Sequence, residues 1–180
     1  SKARGGTQHL IAPAQGFLAS NGIVGAQVPI AAGAALTAKL MEADGIAVSF
    51  FGDGAANQGA VLETMNLAVS LQLPMLFVLE NNGLGQSTSA DYASGGADLL
   101  ARAESFGLKT AAMNGFDGRD CLNVATDAVT YVRTSGQPAL IEAMVPRLSG
   151  HYFGEKADYL AHHSAEDPIA DLAEGLRDAT

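Results

Sequence analysis

Long apolar runs alternate along the chain with segments whose apolar residues recur at helical spacing. Two continuous runs, residues 45–51 and 75–80, are rich in β-forming residues, so we expect both to be strands buried on both faces of a sheet. Between them, apolar positions from Asn57 to about Leu71 recur every three or four residues and predict a helix. Pro74 ends this connection. The order strand, helix, strand is the pattern of a βαβ unit.

The rest of the chain continues this alternation. Its patterns predict helices at 28–41, about 97–106 and about 119–134, and strands at 108–112 and 139–145. This order favours an α/β fold, a parallel sheet flanked by helices and joined by right-handed crossovers. We expect residues 146–160 to form a surface loop, and the following helix to begin with Pro168 after Glu166 and Asp167, acidic residues that a helix N-terminus favours.

The predicted helix at 28–41 carries almost only Ala and Gly on its surface. Small side chains let another backbone approach closely. A buried position in the core and a position at a subunit interface are both consistent with this surface.

Composition narrows the classes of protein that fit. With 180 residues, 48% of them hydrophobic, the chain can form one ordinary core, so we expect a single domain over 1–180. The net charge of −9 and the lack of a basic cluster argue against nucleic acid and anionic membranes as partners, and no apolar stretch approaches the ~20 residues of a spanning helix. A single cysteine, Cys121, fits a reducing cytoplasm. The start "SKARGG" has neither Met nor a signal sequence and suggests a fragment of a longer protein.

Polar residues follow each of the two long apolar runs at the point where the run ends. Asp53 stands between two glycines in "FFGDGAANQG", and Asn82 follows the second run in "LFVLENNG". Since ligands of an open parallel sheet bind beyond the carboxyl ends of its strands, both side chains are expected at one edge. One carboxylate and one amide oxygen are typical ligands of Mg²⁺, which completes its shell with water and phosphate oxygens. The pattern therefore indicates a magnesium site that holds a diphosphate.

Other interpretations of this turn fit the spacing less well. A P-loop requires Gly-Lys-Ser/Thr, and no lysine follows Asp53. An EF-hand that started at Asp53 would need different residues at three ligand or turn positions, where the chain has Ala55, Gln58 and Thr64. A plain strand-to-helix turn capped by Asp53 remains open, although the paired asparagines after the second run argue against it.

GDG followed by NN in the next strand resembles the thiamine diphosphate motif. The blocks "RGGTQHL", "NGIVGAQVPIAAGAAL", "GDGAANQG", "LENNGLGQSTS", "SGHYFGE" and "EDPI" are similar, in the same order, to the α subunits of 2-oxo acid dehydrogenase E1 components of the pyruvate and acetoin type. The resemblance covers essentially the whole chain. Branched-chain members carry a more acidic turn, which makes that branch a poorer match.

The resemblance implies a set of ligands for Mg²⁺ and the cofactor. Asp53 and Asn82 would bind Mg²⁺ through their side chains, and Leu84 would bind it through its carbonyl. Gly54 and Ala55 would contact the diphosphate of thiamine diphosphate.

The resemblance also implies residues around the reacting part of the cofactor. Backbone groups of Gly22 and Val24 would hold the aminopyrimidine ring, while His151 and His9 match active-site histidines of the family. Residues 162–163, both histidines, match nothing and are expected to be solvated.

The function implied by the resemblance is shared with a second chain. The glutamate that activates the cofactor comes from the β subunit in this family, and no glutamate of this chain has that role. The expected enzyme is an oxidoreductase that cleaves a 2-oxo acid or acetoin and transfers the acyl group to the lipoyl domain of an E2 acyltransferase.

Three departures from the family pattern keep alternatives open. Leu84 replaces an aromatic residue, Gln86 replaces a large apolar residue that supports the bent cofactor, and the Tyr-Arg pair that precedes this region is absent. Gln86 and the late start would also suit a cofactor-binding paralogue without catalysis. Half of a transketolase-like enzyme would share GDG but not "GAQVPIAAG" or "SGHYFGE".

Overall fold

The computed structural model describes residues 6, 8–96, 98–160 and 167–178. The chain forms, in order, α1 (Gln27–Leu40), β1 (Ala47–Gly52), α2 (Gly59–Ser70), β2 (Met75–Asn81), β3 (Leu84–Gly85), β4 (Thr88–Ser89), α3 (Ala90–Ala93), α4 (Leu99–Ser105), β5 (Lys109–Asn114), α5 (Gly118–Ser135), β6 (Ala139–Met144) and α6 (Pro168–Asp178). Short 3-10 turns lie at Pro13–Gln15, Ala55–Asn57 and Asp158–Leu160.

The central element is a four-stranded sheet in the order β1-β2-β6-β5, with every neighbouring pair parallel. In its register Gly52 lies opposite Glu80, and Asn81 lies opposite Met144, so β1, β2 and β6 end at one edge. The prediction of an α/β fold with a parallel sheet flanked by helices is confirmed.

Helices cover the two faces of the sheet unequally. Buried residues of α1, α2 and α4 form one core cluster with Phe51, Phe77 and Leu79, whereas α5 packs on the opposite face through Ala128 and Val132. In α1 the buried positions are Val28 and three alanines, which confirms its place in the core. A role of α1 at a subunit interface stays a prediction.

The two long apolar runs differ in their burial. In β2, residues Met75 to Leu79 are all buried, as predicted. The same prediction for β1 is wrong, because its burial alternates: Val48 is 40% exposed and Phe50 is 59% exposed. β1 is one of the two edge strands, and no helix of the described residues packs over this side of it.

Several helix ends follow from local chemistry. The Asp117 carboxylate accepts hydrogen bonds from the Arg119 and Asp120 N–H groups and begins α5, and Gly136 ends it with a φ of 66°. The Asp167 carboxylate accepts a bond from the Ile169 N–H at 3.0 Å, as expected for a capped start of α6, while Glu166 lies outside the described residues.

None of the described helices combines the length and apolar character that a membrane crossing requires.

Candidate functional site

A cavity of about 590 Å³ lies at the carboxyl edge of the sheet. Asp53, which follows β1 directly, and Asn82, which follows β2, line this cavity together with residues 146–151 of the loop after β6. The predicted site residues that line this cavity are Val24, Asp53, Gly54, Ala55, Asn82, Leu84 and His151. The three strand ends thus bring together residues that are far apart in sequence.

Asp53 is the most unusual polar residue of this cavity. Its side chain is 1% exposed, and its Oδ2 has no hydrogen-bond partner. Burial raises the pKa of this carboxyl group, although backbone N–H groups of Asp53, Asn82 and Gly54 and the charge of Arg147 partly offset the shift. A buried carboxylate oxygen without a partner is costly, and a bound cation would compensate it.

The oxygens around Asp53 fit the predicted magnesium site. Asn82 Oδ1 accepts a hydrogen bond from the Leu84 N–H at 3.0 Å, and the Leu84 carbonyl accepts one from Arg147 Nη1 at 3.1 Å. Each of these oxygens retains a second lone pair. The described residues contain no group of three or more His, Cys, Asp or Glu side chains suited to a metal. A metal here would therefore need water or phosphate oxygens to complete its shell, as Mg²⁺ prefers.

Two glycines bring the turn after β1 against the β3–β4 hairpin. A Cβ on Gly54 would lie 3.1 Å from Gly85 Cα, so a larger residue at Gly54 would require movement of the backbone, whereas a Cβ on Gly85 would make an ordinary contact with Gly54 Cα at 3.4 Å. The helix predicted to start at Asn57 starts instead at Gly59, and the 3-10 turn Ala55–Asn57 precedes it. Backbone groups of Gly54 and Ala55 therefore form one wall of the cavity.

The loop after β6 is more than the surface loop that we predicted. The Glu155 carboxylate accepts hydrogen bonds from the His151 N–H and, at 2.9 Å, from the Tyr159 hydroxyl. Desolvation alone would raise the pKa of Glu155, but these two donors, together with the Gln86 side chain, hold it below its usual value. The loop is thus internally bonded, with His151 at the cavity.

Two predicted site residues lie away from the lining of this cavity. Gly22 faces the side chains of Gln8 and His9, whose nearest atoms are 3.5 and 3.9 Å from a Cβ built on the glycine. His9 is exposed. The structure thus places His9 beside Gly22, and their roles in cofactor binding and catalysis stay predictions. Residues 162–163 lie outside the described residues.

The structure also reveals residues that the sequence reasoning missed. Arg147 lines the cavity and donates to the carbonyls of both Leu84 and Gln86, the latter at 2.9 Å. Gln86 has a φ of 55°, a left-handed conformation that is uncommon outside glycine. A signal for Arg147 was present, because it follows the predicted strand at 139–145 and would therefore lie at the same edge of a parallel sheet as Asp53 and Asn82. No local pattern indicated the contacts of Glu155 and Tyr159.

Comparison with known proteins places these features in a family. The family model of the dehydrogenase E1 component matches residues 1–178. The α subunit of acetoin:2,6-dichlorophenolindophenol oxidoreductase from Cupriavidus necator is 37% identical over 164 residues, which cover 91% of this chain and 49% of that protein. The protein of the same name from Bacillus subtilis is 40% identical over 158 residues, covering 88% and 47%.

A relative with a different name matches to a similar degree. The pyruvate dehydrogenase E1 component subunit α from Rickettsia bellii is 36% identical over 177 residues, which cover 96% of this chain and 54% of that protein. The chain therefore spans about half the length of the curated relatives that it matches.

Proposed function

Because the chain belongs to the dehydrogenase E1 component family, we propose that it is the cofactor-binding part of the α subunit of a thiamine diphosphate-dependent 2-oxo acid or acetoin dehydrogenase. The observation that carries this proposal is the unpartnered oxygen of Asp53, buried at the carboxyl edge of a parallel sheet. A metal-bound diphosphate is the ligand that best suits this oxygen, since the adjacent glycines also permit close backbone approach.

The residues of the cavity would divide the work of binding. Asp53, Asn82 and the Leu84 carbonyl would hold Mg²⁺, and the backbone at Gly54 and Ala55 would contact the diphosphate. Thiamine diphosphate, when bound, supplies the carbanion chemistry that cleaves the bond next to a carbonyl group. His151 would give or take protons near the reacting atoms, because an imidazole is suited to this at neutral pH.

The cavity supports the proposal that a second chain completes the active site. Among the described residues that line it, Asp53 is the only acidic one, and its carboxylate is assigned to the metal. Glu63 lies within α2, and Glu80 lies on β2 before the strand ends. We therefore propose that the activating glutamate comes from an E1 β subunit, and that the acyl acceptor is the lipoyl domain of an E2 acyltransferase. The single cysteine supports a cytoplasmic location.

The test is co-expression of the intact protein with an E1 β subunit, followed by assays with pyruvate, branched-chain 2-oxo acids and acetoin. The names of the relatives lead us to expect turnover of pyruvate or acetoin. Activity should require both thiamine diphosphate and Mg²⁺. Turnover that persists after removal of both would contradict the proposal.

The chain without its partner should bind the cofactor weakly and turn over no substrate. Sustained decarboxylation by the purified chain alone would exclude a site shared between subunits. Gln86 favours a second candidate, a cofactor-binding subunit without catalysis, because this exposed polar residue stands where the resemblance implies a large apolar residue. Tight cofactor binding with no turnover in the presence of any β subunit would favour that candidate.

A further inference from the structure

Arg102 on α4 is half-buried and joins two segments that are remote in sequence. Its Nη1 donates to the side-chain oxygen of Asn57 at 3.0 Å, and its Nη2 donates to the carbonyls of Gly95, at 3.2 Å, and Gly96, at 3.3 Å. All three acceptors are neutral oxygens. A planar guanidinium with five N–H donors can bind acceptors in several directions at once, so one side chain holds both segments.

The Asn57 side chain is bonded at both of its ends. Its Oδ1 accepts from Arg102, and its Nδ2 donates to the Ser94 hydroxyl oxygen at 3.0 Å. Ser94 is only 7% exposed, and its N–H donates to the Ala90 carbonyl at 2.8 Å. These bonds fix the orientation of the Asn57 amide and attach it to the loop 94–96.

Asn57 ends the short 3-10 turn after β1, so these contacts reach a wall of the carboxyl-edge cavity. The Asn57 N–H donates to the Gly54 carbonyl at 3.4 Å, and the Gln58 N–H donates to the Ala55 carbonyl at 3.0 Å. Gly54 and Ala55 line the cavity, whereas Asn57 and Arg102 do not. Arg102 therefore acts on this wall through Asn57 and not by direct contact with a ligand.

The segment from the β3–β4 hairpin to the loop 94–96 is attached at its start as well. The Ala90 N–H donates to the Gly83 carbonyl in the turn after β2, at 2.9 Å. At the other end, the loop is bonded to Asn57 directly and through Arg102. The segment thus spans the two turns that carry the proposed metal ligands, and loss of Arg102 would loosen one of its ends.

We propose that Arg102 is a positioning residue that, through Asn57, holds the turn after β1 in the conformation that receives the diphosphate. The importance of this turn for the cofactor rests on the proposed function, whereas the contacts themselves do not. A loosened turn would have to be ordered when the diphosphate binds, and that cost would weaken binding. Once the cofactor is bound, the turn is in place, so the rate of the reaction should change little.

Four variants test this order of contacts. Arg102→Gln removes the charge and most of the donors, and Asn57→Leu keeps the approximate size of the side chain without its polar atoms. Asn57→Asp is the conservative variant, because its carboxylate can accept from Arg102 and from the Ser94 hydroxyl. Arg133→Gln is the matched control, since Arg133 is an exposed arginine at the amino edge of the sheet.

Isothermal titration calorimetry of the intact protein with its β subunit, in the presence of Mg²⁺, measures the affinity for thiamine diphosphate and for inorganic pyrophosphate. We expect Arg102→Gln and Asn57→Leu each to weaken both affinities by about 10-fold, the scale of a hydrogen bond from a charged donor. The double variant should bind no more weakly than the weaker single variant, because both substitutions break the same run of contacts. Asn57→Asp should bind within about 3-fold of the wild type, and Arg133→Gln should match it.

Three results of this titration would overturn the proposal. The first is undiminished affinity in both single variants, and the second is an equal loss in Arg133→Gln. The third is a loss for thiamine diphosphate without a loss for pyrophosphate, because the turn is assigned to the diphosphate.

Hydrogen exchange and kinetics separate positioning from general stability. Exchange of the backbone amides of residues 57–58 in the unliganded protein should accelerate in Arg102→Gln, and bound thiamine diphosphate should restore protection. The cofactor concentration for half-maximal activity should rise about 10-fold, while kcat at saturating cofactor changes by less than about 2-fold. A comparable fall in kcat at saturation would contradict the positioning role and leave the proposed function standing. If the wild-type protein binds neither thiamine diphosphate nor pyrophosphate, the proposed function is wrong, and the role of Arg102 is lost with it.

Discussion

The two ends of the same parallel strands carry cavities of very different character. At the carboxyl edge, the cavity of about 590 Å³ contains a buried carboxylate oxygen without a partner. At the amino edge, a cavity of about 340 Å³ is bounded by charged residues including Lys39, Glu42, Asp44 and Arg133. There Lys39 Nζ already donates to the carbonyls that follow α2, at 2.7 and 3.1 Å.

The difference shows that charge and volume alone do not indicate a ligand site. At the amino edge the Lys39 ammonium group binds carbonyl oxygens just after α2, so its hydrogen bonds stabilise the end of that helix and thus the fold. At the carboxyl edge Asp53 is held in place by the strand end and remains short of a partner for one oxygen. Ser49 Oγ is also buried without a partner but lies within β1 and lines neither cavity, so it is the combination in Asp53 of an unpartnered oxygen and a place in the cavity lining that supports a ligand site.

The largest expected effect concerns the metal. Asp53→Asn should weaken Mg²⁺-dependent binding of thiamine diphosphate on the order of 10²-fold or more, because it removes the one anionic side chain among the proposed metal ligands. Asp44→Asn, at the amino edge, should leave the affinity unchanged and serves as the control. Isothermal titration calorimetry with and without Mg²⁺ measures both. Unchanged affinity in Asp53→Asn would remove the distinction between the two edges.

A second prediction separates binding from catalysis within the carboxyl edge. His151→Ala should leave the affinity for Mg²⁺ and thiamine diphosphate nearly intact, because the proposed ligands are Asp53 and Asn82. Acyl transfer to a lipoyl domain should slow on the order of 10²-fold, the usual scale for a positioned acid or base. Reduction of an artificial electron acceptor should suffer less. Equal losses in the two assays would indicate a general positioning role, and no loss in either would make His151 an ordinary surface residue.

A pH dependence is expected from the loop that carries His151. Its donors hold the pKa of Glu155 below the ordinary value, so the charged form is favoured when the loop is folded. The resulting stabilisation is present above the unfolded pKa, about 4.3, and is lost as the pH falls through the lower folded pKa. Exchange at His151, corrected for the intrinsic effect of pH, should therefore accelerate on acidification. Glu155→Gln should show no such acceleration, and a similar response in this variant would contradict the assignment.

The smallest effect is expected at the amino edge. Lys39→Met keeps the aliphatic stem but removes the two hydrogen bonds to the end of α2. Since this side chain is exposed, the free energy of unfolding should fall by only about 0.5–1 kcal/mol. Denaturant unfolding measures the loss, and cofactor affinity should not change. A weaker affinity in this variant would mean that the two edges are coupled.

Much of the fold could be predicted from local patterns. The helix of α2 and the buried strand β2 were recognisable because their periodicity and apolar content depend on neighbouring residues in sequence. Asp53 and Asn82 were expected at one edge because parallel strands with a helical crossover bring their carboxyl ends together. For α1, the small residues indicated a close approach but not the surface that it would meet.

The exposure of β1 could not be predicted in the same way. An apolar run shows that a strand can be buried on both faces, but a helix must lie over each face for that to happen. α5 covers the neighbouring strands, and Val48 and Phe50 remain exposed at the edge. The prediction was wrong because burial depends on the position of the strand in the sheet.

The sequence by itself determined the strand–helix order, the family blocks and the polar residues at the strand ends, since each is encoded within a short stretch of chain. Only the tertiary structure decided that Asp53 has an unpartnered oxygen, that Gly54 touches Gly85, and that Arg147 reaches the hairpin carbonyls. These contacts join segments that are remote in sequence. Their geometry follows from the register of the sheet and the path of the loops, which no local pattern contains.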